Sequence, residues 1–199
     1  MAAPTESAPT IAGIGHVYVA DPDTTPPAGF LDSFKFDTGS APKGFTWLGD
    51  TSSETLPEFG SDGGDSTSKR TWDRKDLRVT REDKTHTMTI ASVASSATAI
   101  ETAFPGSTWR ESDKAWDIDL DGSVEKAVLM VVEDGTQACA HLFRRVSLSG
   151  ALPTLDLENF SEISISGAIM TPASGEKKYR FYPPRERTVT GAAVRSASE

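Results

Sequence analysis

The chain has 199 residues, a net charge of −9, 37% hydrophobic residues and one cysteine. That length bounds one domain with appendages, and the low apolar content supports a single core under much polar surface. The acidic balance argues against a protein that grips nucleic acid by neutralising phosphates. Cys139 alone rules out an intramolecular disulfide framework and fits a reducing compartment or an assembled particle.

In chain order, residues 1–12 are rich in Ala, Pro, Thr and Ser and are expected to form a flexible N-terminal arm. MAAPTESAPT has neither a basic start nor an apolar run and does not read as a signal peptide. IGHVYVA (14–20) reads as a first strand, and DPDTTPPAG (21–29) as a proline-rich turn region. Residues 30–36 and 44–49 are short strand candidates. Residues 77–82 and 85–93 look like a hairpin turning at Asp83-Lys84. His86, Met88 and Ile90 alternate with Thr85, Thr87 and Thr89, which predicts one buried and one polar face. A short helix is expected over 95–104, capped by Ser95 or Ser96 and stopped by Pro105-Gly106, with Ala97, Ile100 and Phe104 on its packed face. Residues 108–120, 124–133 and 136–148 read as three strands joined at Asp121-Gly122 and Asp134-Gly135. VLMVV (128–132) is apolar on both faces, as a strand covered twice must be. Residues 158–171 alternate again, Ile163, Ile165 and Ile169 against Glu162, Ser164 and Ser166. Residues 179–182 close the series before Pro183-Pro184, and 185–199 read as a flexible tail. The fold class is mainly β: an antiparallel β-sandwich or partly closed barrel with one short flanking helix.

Between these elements lies GFTWLGDTSSETLPEFGSDGGDSTSKRTWDRKDLR (44–78). After its first residues it offers no periodicity, yet it keeps Leu56, Phe59 and Trp72. A loop of that length in a compact domain is uncommon, and a disordered linker would lack the aromatics. It reads as an extended arm that packs on something outside its own domain. Charge is blocked along the chain: residues 1–65 are net −8, 66–85 net +3, 86–143 net −6 and 144–199 net +2. The basic segment from Lys69 to Lys84 could meet an acidic surface on a neighbouring copy.

Little in the chain points to chemistry. Asp117, Asp119 and Asp121-Gly122 match the opening of a calcium loop. The twelfth position is Val128, however, and the better reading has Trp116, Ile118 and Leu120 inward and the aspartates in water, leaving only a weak metal candidate. His86 and His141 sit among apolar positions and read as hydrogen-bonded core residues, and Cys139 as a buried thiol. Asp62-Gly63-Gly64-Asp65 is a turn, since two aspartates repel phosphate. No nucleophile, zinc or phosphate-loop motif occurs, so no cofactor and no enzymatic activity are expected. No apolar run of 18 residues occurs, so no membrane-spanning helix is expected.

Taken together, GFTWLGDTS, LPEFG, the GGD turn, Trp72 and DLR (76–78), preceded by GIGHVYVADPDTTPPAG, resemble the major tail proteins of long-tailed actinobacterial phages. The resemblance covers residues 13–110 most closely. It implies a tail-tube β-sandwich over 13–184 whose copies form stacked, hexameric rings and a tube through which double-stranded DNA passes without tight binding. It also implies a virion location, with assembly in the host bacterial cytoplasm. Partners would be other copies, a tape-measure protein, a tail terminator and distal tail proteins. The loop 50–73 would reach the adjoining subunit or ring, with Leu56, Pro57, Glu58, Phe59, Gly60, Asp62, Asp65, Lys69, Arg70 and Trp72 at the contact. Thr87, Thr89, Glu162, Ser164 and Ser166 are the expected channel face. The alternatives are a single-ring tail terminator or head–tail adaptor and, from another class, a secreted β-sandwich module for sugar or calcium.

Overall fold

The computed structural model describes residues 11–69, 72–73, 78–155 and 157–186. Arg70, Leu77 and most of the two expected flexible ends lie outside these residues. The strands in chain order are β1 (Ile14–Ala20), β2 (Thr46–Trp47), β3 (Glu58–Gly63), β4 (Ser66–Lys69), β5 (Arg78–Arg81) and β6 (Lys84–Ser92). Helix α1 (Ala97–Ala103) follows, then β7 (Thr108–Arg110), β8 (Ala115–Asp117), β9 (Val124–Asp134), β10 (Gln137–Thr154), β11 (Glu162–Ile169) and β12 (Tyr179–Glu186). Among the described residues strand makes up 49% and helix 7%, all strand pairs are antiparallel, and no barrel closes.

Strand β9 shows why the fold has two apolar layers. Val128 and Met130 point into a core shared with Val17 and Val19 of β1, Met88 and Ile90 of β6, Val146 and Leu148 of β10, and Ile163 and Ile165 of β11. Leu129 and Val131 point the other way, onto Tyr18, Phe30, Leu31, Phe34, Phe36 and Phe45. The main sheet runs β2-β1-β9-β10-β11-β6-β3. It doubles over, so that β11 and β6 cover one face of β1-β9-β10 while residues 30–45 cover the other. Double coverage is what an apolar run on both faces demands.

The segment over 30–36 is therefore no strand. Gly29 adopts a left-handed φ of 72°, and Phe30–Ser33 winds into a 3-10 turn that lays its phenyl rings on the sheet. This cover is tied down by a buried contact: His16 Nε2 lies 2.8 Å from Glu133 Oε1, and the Asp37 N–H donates to Glu133 Oε2 at 2.9 Å. Helix α1 forms where expected. The Ser96 hydroxyl accepts from the Ala99 N–H and donates to the Leu48 carbonyl, which caps the helix and anchors it. Its packed face is Ala99, Ile100, Thr102 and Ala103, while Ala97 is exposed. Gly150 of β10 lets the helix approach: a Cβ there would stand 2.6 Å from Ala103 Cβ and 2.9 Å from its carbonyl oxygen.

Strand β10 is the longest element, and its irregularity organises the sheet. Along one side it pairs with β9 from Gln137 to Leu148. Along the other it pairs first with β12 (Ala140 with Tyr182, Phe143 with Tyr179) and then with β11 (Val146 with Ile169, Ser149 with Ser166). The register against β9 shifts between Phe143 and Val146, so the core-facing parity passes from Phe143 to Val146 and Leu148. Arg144 and Arg145 occupy this bulge. Arg144, almost wholly buried, pairs with Glu176 at 2.6 Å and donates to the Lys177 carbonyl at 2.7 Å. Arg145 holds Asp23 at 2.8 Å and Glu125 at 2.9 Å.

Other expectations are corrected. Residues 108–120 form not one strand but the small β7–β8 hairpin, turning where Lys114 has φ 48°. Ile118 and Leu120 are exposed rather than inward, because this hairpin stands off the main sheet. The hairpin expected over 77–93 is split: β5 pairs with β4, while β6 pairs with β3 and β11. Strand β12 runs on through Pro183-Pro184, which an edge strand tolerates. Arg185, expected in a loose tail, is in β12 and pairs with Asp32 at 3.0 Å.

Two stability predictions follow from these contacts. Gly150→Val drives a side chain into Ala103 and should cost about 1–3 kcal/mol, a fall in Tm of roughly 2–4 °C per kcal/mol for a chain of this size, read by thermal melting. The Arg145 guanidinium holds the Asp23 carboxyl below its usual value of 3.8. That contribution is complete above pH 3.8 and is lost as pH falls through the folded value. Asp23→Asn should therefore melt lower than the wild type at pH 7, and the two Tm values should converge as pH is lowered toward 2.

Candidate assembly surfaces

The arm read as a structureless loop over 50–73 is a two-part β-ribbon. Its base is β3 paired with β6, Glu58 opposite Thr89 and Gly63 opposite Lys84. Its outer part is β4 paired with β5, Ser66 opposite Arg81. Between them Gly63 and Gly64, at φ 79° and 82°, make the corner. The sequence hid these strands for a physical reason: β3 and β4 are exposed at every residue, so nothing selects an alternation of apolar and polar side chains. Asp62, Asp65 and Lys69 lie along this ribbon, and Trp72, fully exposed, lies beyond β4.

The LPEFG segment does not project freely. Phe59 stacks on Phe143 with ring centroids 5.1 Å apart and is still half exposed. Leu56, Pro57 and Phe59 border a cleft of about 460 Å³ against Ile14, His16 and Met130. Beyond Phe59 a second cleft of about 510 Å³ opens at the arm end of the sandwich, lined by Phe59, His86, His141, Phe143, Ile169 and Tyr179. Phe143 and Tyr179 are 5.1 Å apart, and His141 Nδ1 lies 2.8 Å from the Tyr179 hydroxyl. Burial pushes the His141 imidazolium below its usual range, so the ring is neutral at pH 7. His141 is thus a half-buried wall residue, and His86, expected in the core, is exposed. Cys139 is buried, and burial pushes its thiol up, away from the reactive thiolate.

The expected channel residues share one surface. Glu58, Thr89, Ser166 and Ser149 stand opposite one another across β3, β6, β11 and β10. Gly60, Thr87, Ala168 and Ser147 form the next row. Directly opposed residues point to the same face, and alternation along β11 puts Glu162 and Ser164 there as well. No lysine or arginine stands in these rows. Arg145 borders them, with its charge offset by Asp23 and Glu125. Strand β3 ends the sheet, so the polar face runs up to an edge with no further strand among the described residues.

The aspartates weighed as a metal site are occupied otherwise. Asp117 pairs with Arg110 across the β7–β8 hairpin, and Asp119 accepts from the Asp121 N–H. Two exposed apolar surfaces were missed. One is the cross-strand pair Trp109 and Trp116, 5.6 Å apart. The other is the end of β10 and the turn to β11, where Leu152, Leu155, Leu157 and Phe160 are all exposed. The sequence analysis assigns no role to the leucines of LPTLDLENF (152–160).

Comparison with known proteins shows the family. The family model described as "Phage tail tube protein" matches residues 2–182. The chain is 34% identical over 135 residues to the Major tail protein Gp23 of Mycobacterium phage L5, covering 65% of this chain and 68% of that protein. It is 32% identical to the Major tail protein Gp23 of Mycobacterium phage D29 over the same shares. The chain belongs to the phage tail tube proteins, a structural family and not an enzyme family.

Proposed function

We propose that copies of this chain join through the free edge of β3 into rings, expected to be hexameric, and that the rings stack into the tube through which double-stranded DNA passes. Family membership carries a structural role in the virion tail and self-assembly with other tail components. The finer reading rests on one observation: the cation-free polar face over β10, β11, β6 and β3 ends at an unpaired strand. An exposed edge invites another strand, and pairing there would continue the same polar face from copy to copy. Thr87, Thr89, Glu162, Ser164 and Ser166 would then face the channel. DNA carries one charge per about 1.7 Å, so a wall of hydroxyls and carboxylates lets it slide where lysines would hold it.

The β4–β5 ribbon, with Lys69 and Trp72, is the arm toward the next ring. A tape-measure protein, terminator and distal tail proteins remain the expected partners, and the host cytoplasm the place of assembly. Electron microscopy of the purified protein tests the reading. Long tubes support it, whereas rings that never stack favour the terminator or adaptor.

Two variants probe the parts. Trp72→Ala removes a fully exposed side chain, so stability should stay within about 0.5 kcal/mol of the wild type while the yield of sedimentable tubes falls at least several-fold. That loss should deepen with salt if the basic ribbon contributes. Thr87→Lys/Thr89→Lys/Ser166→Lys should give tubes that retain double-stranded DNA at low salt and release it at high salt, where wild-type tubes retain none. Lysine-bearing tubes that ignore DNA would place this face elsewhere.

A further inference from the structure

We infer that the β10–β11 turn is a plug for a second copy of this chain: Leu155, Leu157 and Phe160 of one subunit enter the aromatic mouth formed by Phe59, Phe143 and Tyr179 of the next. The inference rests on the self-assembly reading above and names two surfaces that meet in it.

The turn is the most exposed apolar segment described. Leu152, Leu155, Leu157 and Phe160 are 61%, 84%, 104% and 84% exposed. Single exposed apolar residues are ordinary, but three in one short turn, with Leu152 beside them at the end of β10, mark a surface that is covered in use. The mouth offers the matching concavity, about 510 Å³ between Phe59, Phe143, Ile169 and Tyr179, within the range of roughly 300–1,000 Å³ typical of sites that bury apolar groups. The ring contacts of Phe143 with Phe59 and Tyr179, and the His141–Tyr179 hydrogen bond, hold its walls in place.

Charge selects the pairing. The described residues of the turn and its flank carry Glu158 and Glu162 and no lysine or arginine. The mouth is bordered by Lys178, with Lys177 beside it and Lys84 two residues from His86. None of these lysines has an ion pair among the described residues. Turn against turn, or mouth against mouth, sets like charges together, whereas turn against mouth sets opposite charges together.

Distance excludes an internal contact. Ile169 at the mouth and Glu162 at the turn are the two ends of β11, roughly 23 Å apart at about 3.3 Å per residue. One copy cannot fill its own mouth. Plug and socket at opposite ends of a subunit make a heterologous contact, which repeats from copy to copy instead of closing on a pair.

Cysteine pairing tests this in assembled protein. In a Cys139→Ala background, Leu157→Cys and His86→Cys chains are mixed, assembled and oxidised. A dimer band on a non-reducing gel is expected from the mixture and from neither variant alone. Separately, Leu155→Ser/Leu157→Ser/Phe160→Ser should melt as the wild type does and lose at least tenfold in sedimentable assembly. Wild-type tubes or rings accompanied by no mixed dimer, or a triple variant that assembles normally, would overturn the plug and leave the tube reading intact. Wild-type protein that never assembles would overturn the tube reading, and the plug with it.

Discussion

The bulge at Arg144-Arg145 is the constraint on which the rest of the molecule depends. An 18-residue strand would carry one continuous neighbour on each side, but β10 exchanges β12 for β11 where the bulge reverses its side-chain parity. The two arginines hold that exchange in place: Arg144 through Glu176 and the Lys177 carbonyl, Arg145 through Asp23 and Glu125. A guanidinium as buried as that of Arg144 is tolerated only while paired, because removing a partner strands a charge at a cost of about 3–5 kcal/mol. The exchange lets β11, β6 and β3 fold over β1 and β9 to close the core. It also leaves a gap between β12 and the second layer, and that gap is the aromatic mouth.

The unpaired edge of β3 and the ribbon belong to the second layer, and the polar face spans β3, β6 and β11 and continues onto β10, while β9 is covered on both faces. A division of this kind suits a subunit that must be stable before it meets its neighbours and still present strand edge and apolar surface to them. The outward rows are acidic and hydroxyl-bearing and the ribbon is basic, so the two surfaces differ in charge.

What the sequence made legible was whatever a single chain packs. The double apolar face of β9, the β11 alternation, the Ser96 cap and the mainly β class all follow from burial, and all are present. Residues 30–36 were legible as a short strand and not as a 3-10 turn, since the cover of a sheet carries no period of its own. The ribbon strands were invisible because both faces of β3 and β4 are exposed, and the arm was noticed only through Leu56, Phe59 and Trp72. The β10–β11 turn drew no expectation, because exposed apolar residues carry no burial pattern to read. The resemblance to tail proteins supplied the role; the residues alone supplied only an arm in need of a partner.

The central claim is that the free edge of β3 is completed by another copy. Amide hydrogen exchange across Glu58–Gly63, compared between monomer and assembled protein, tests it most directly. The account predicts that the amides facing away from β6 exchange freely in the monomer and become protected on assembly, as those of an interior strand are. Assembled protein in which these amides still exchange at the monomer rate would contradict it.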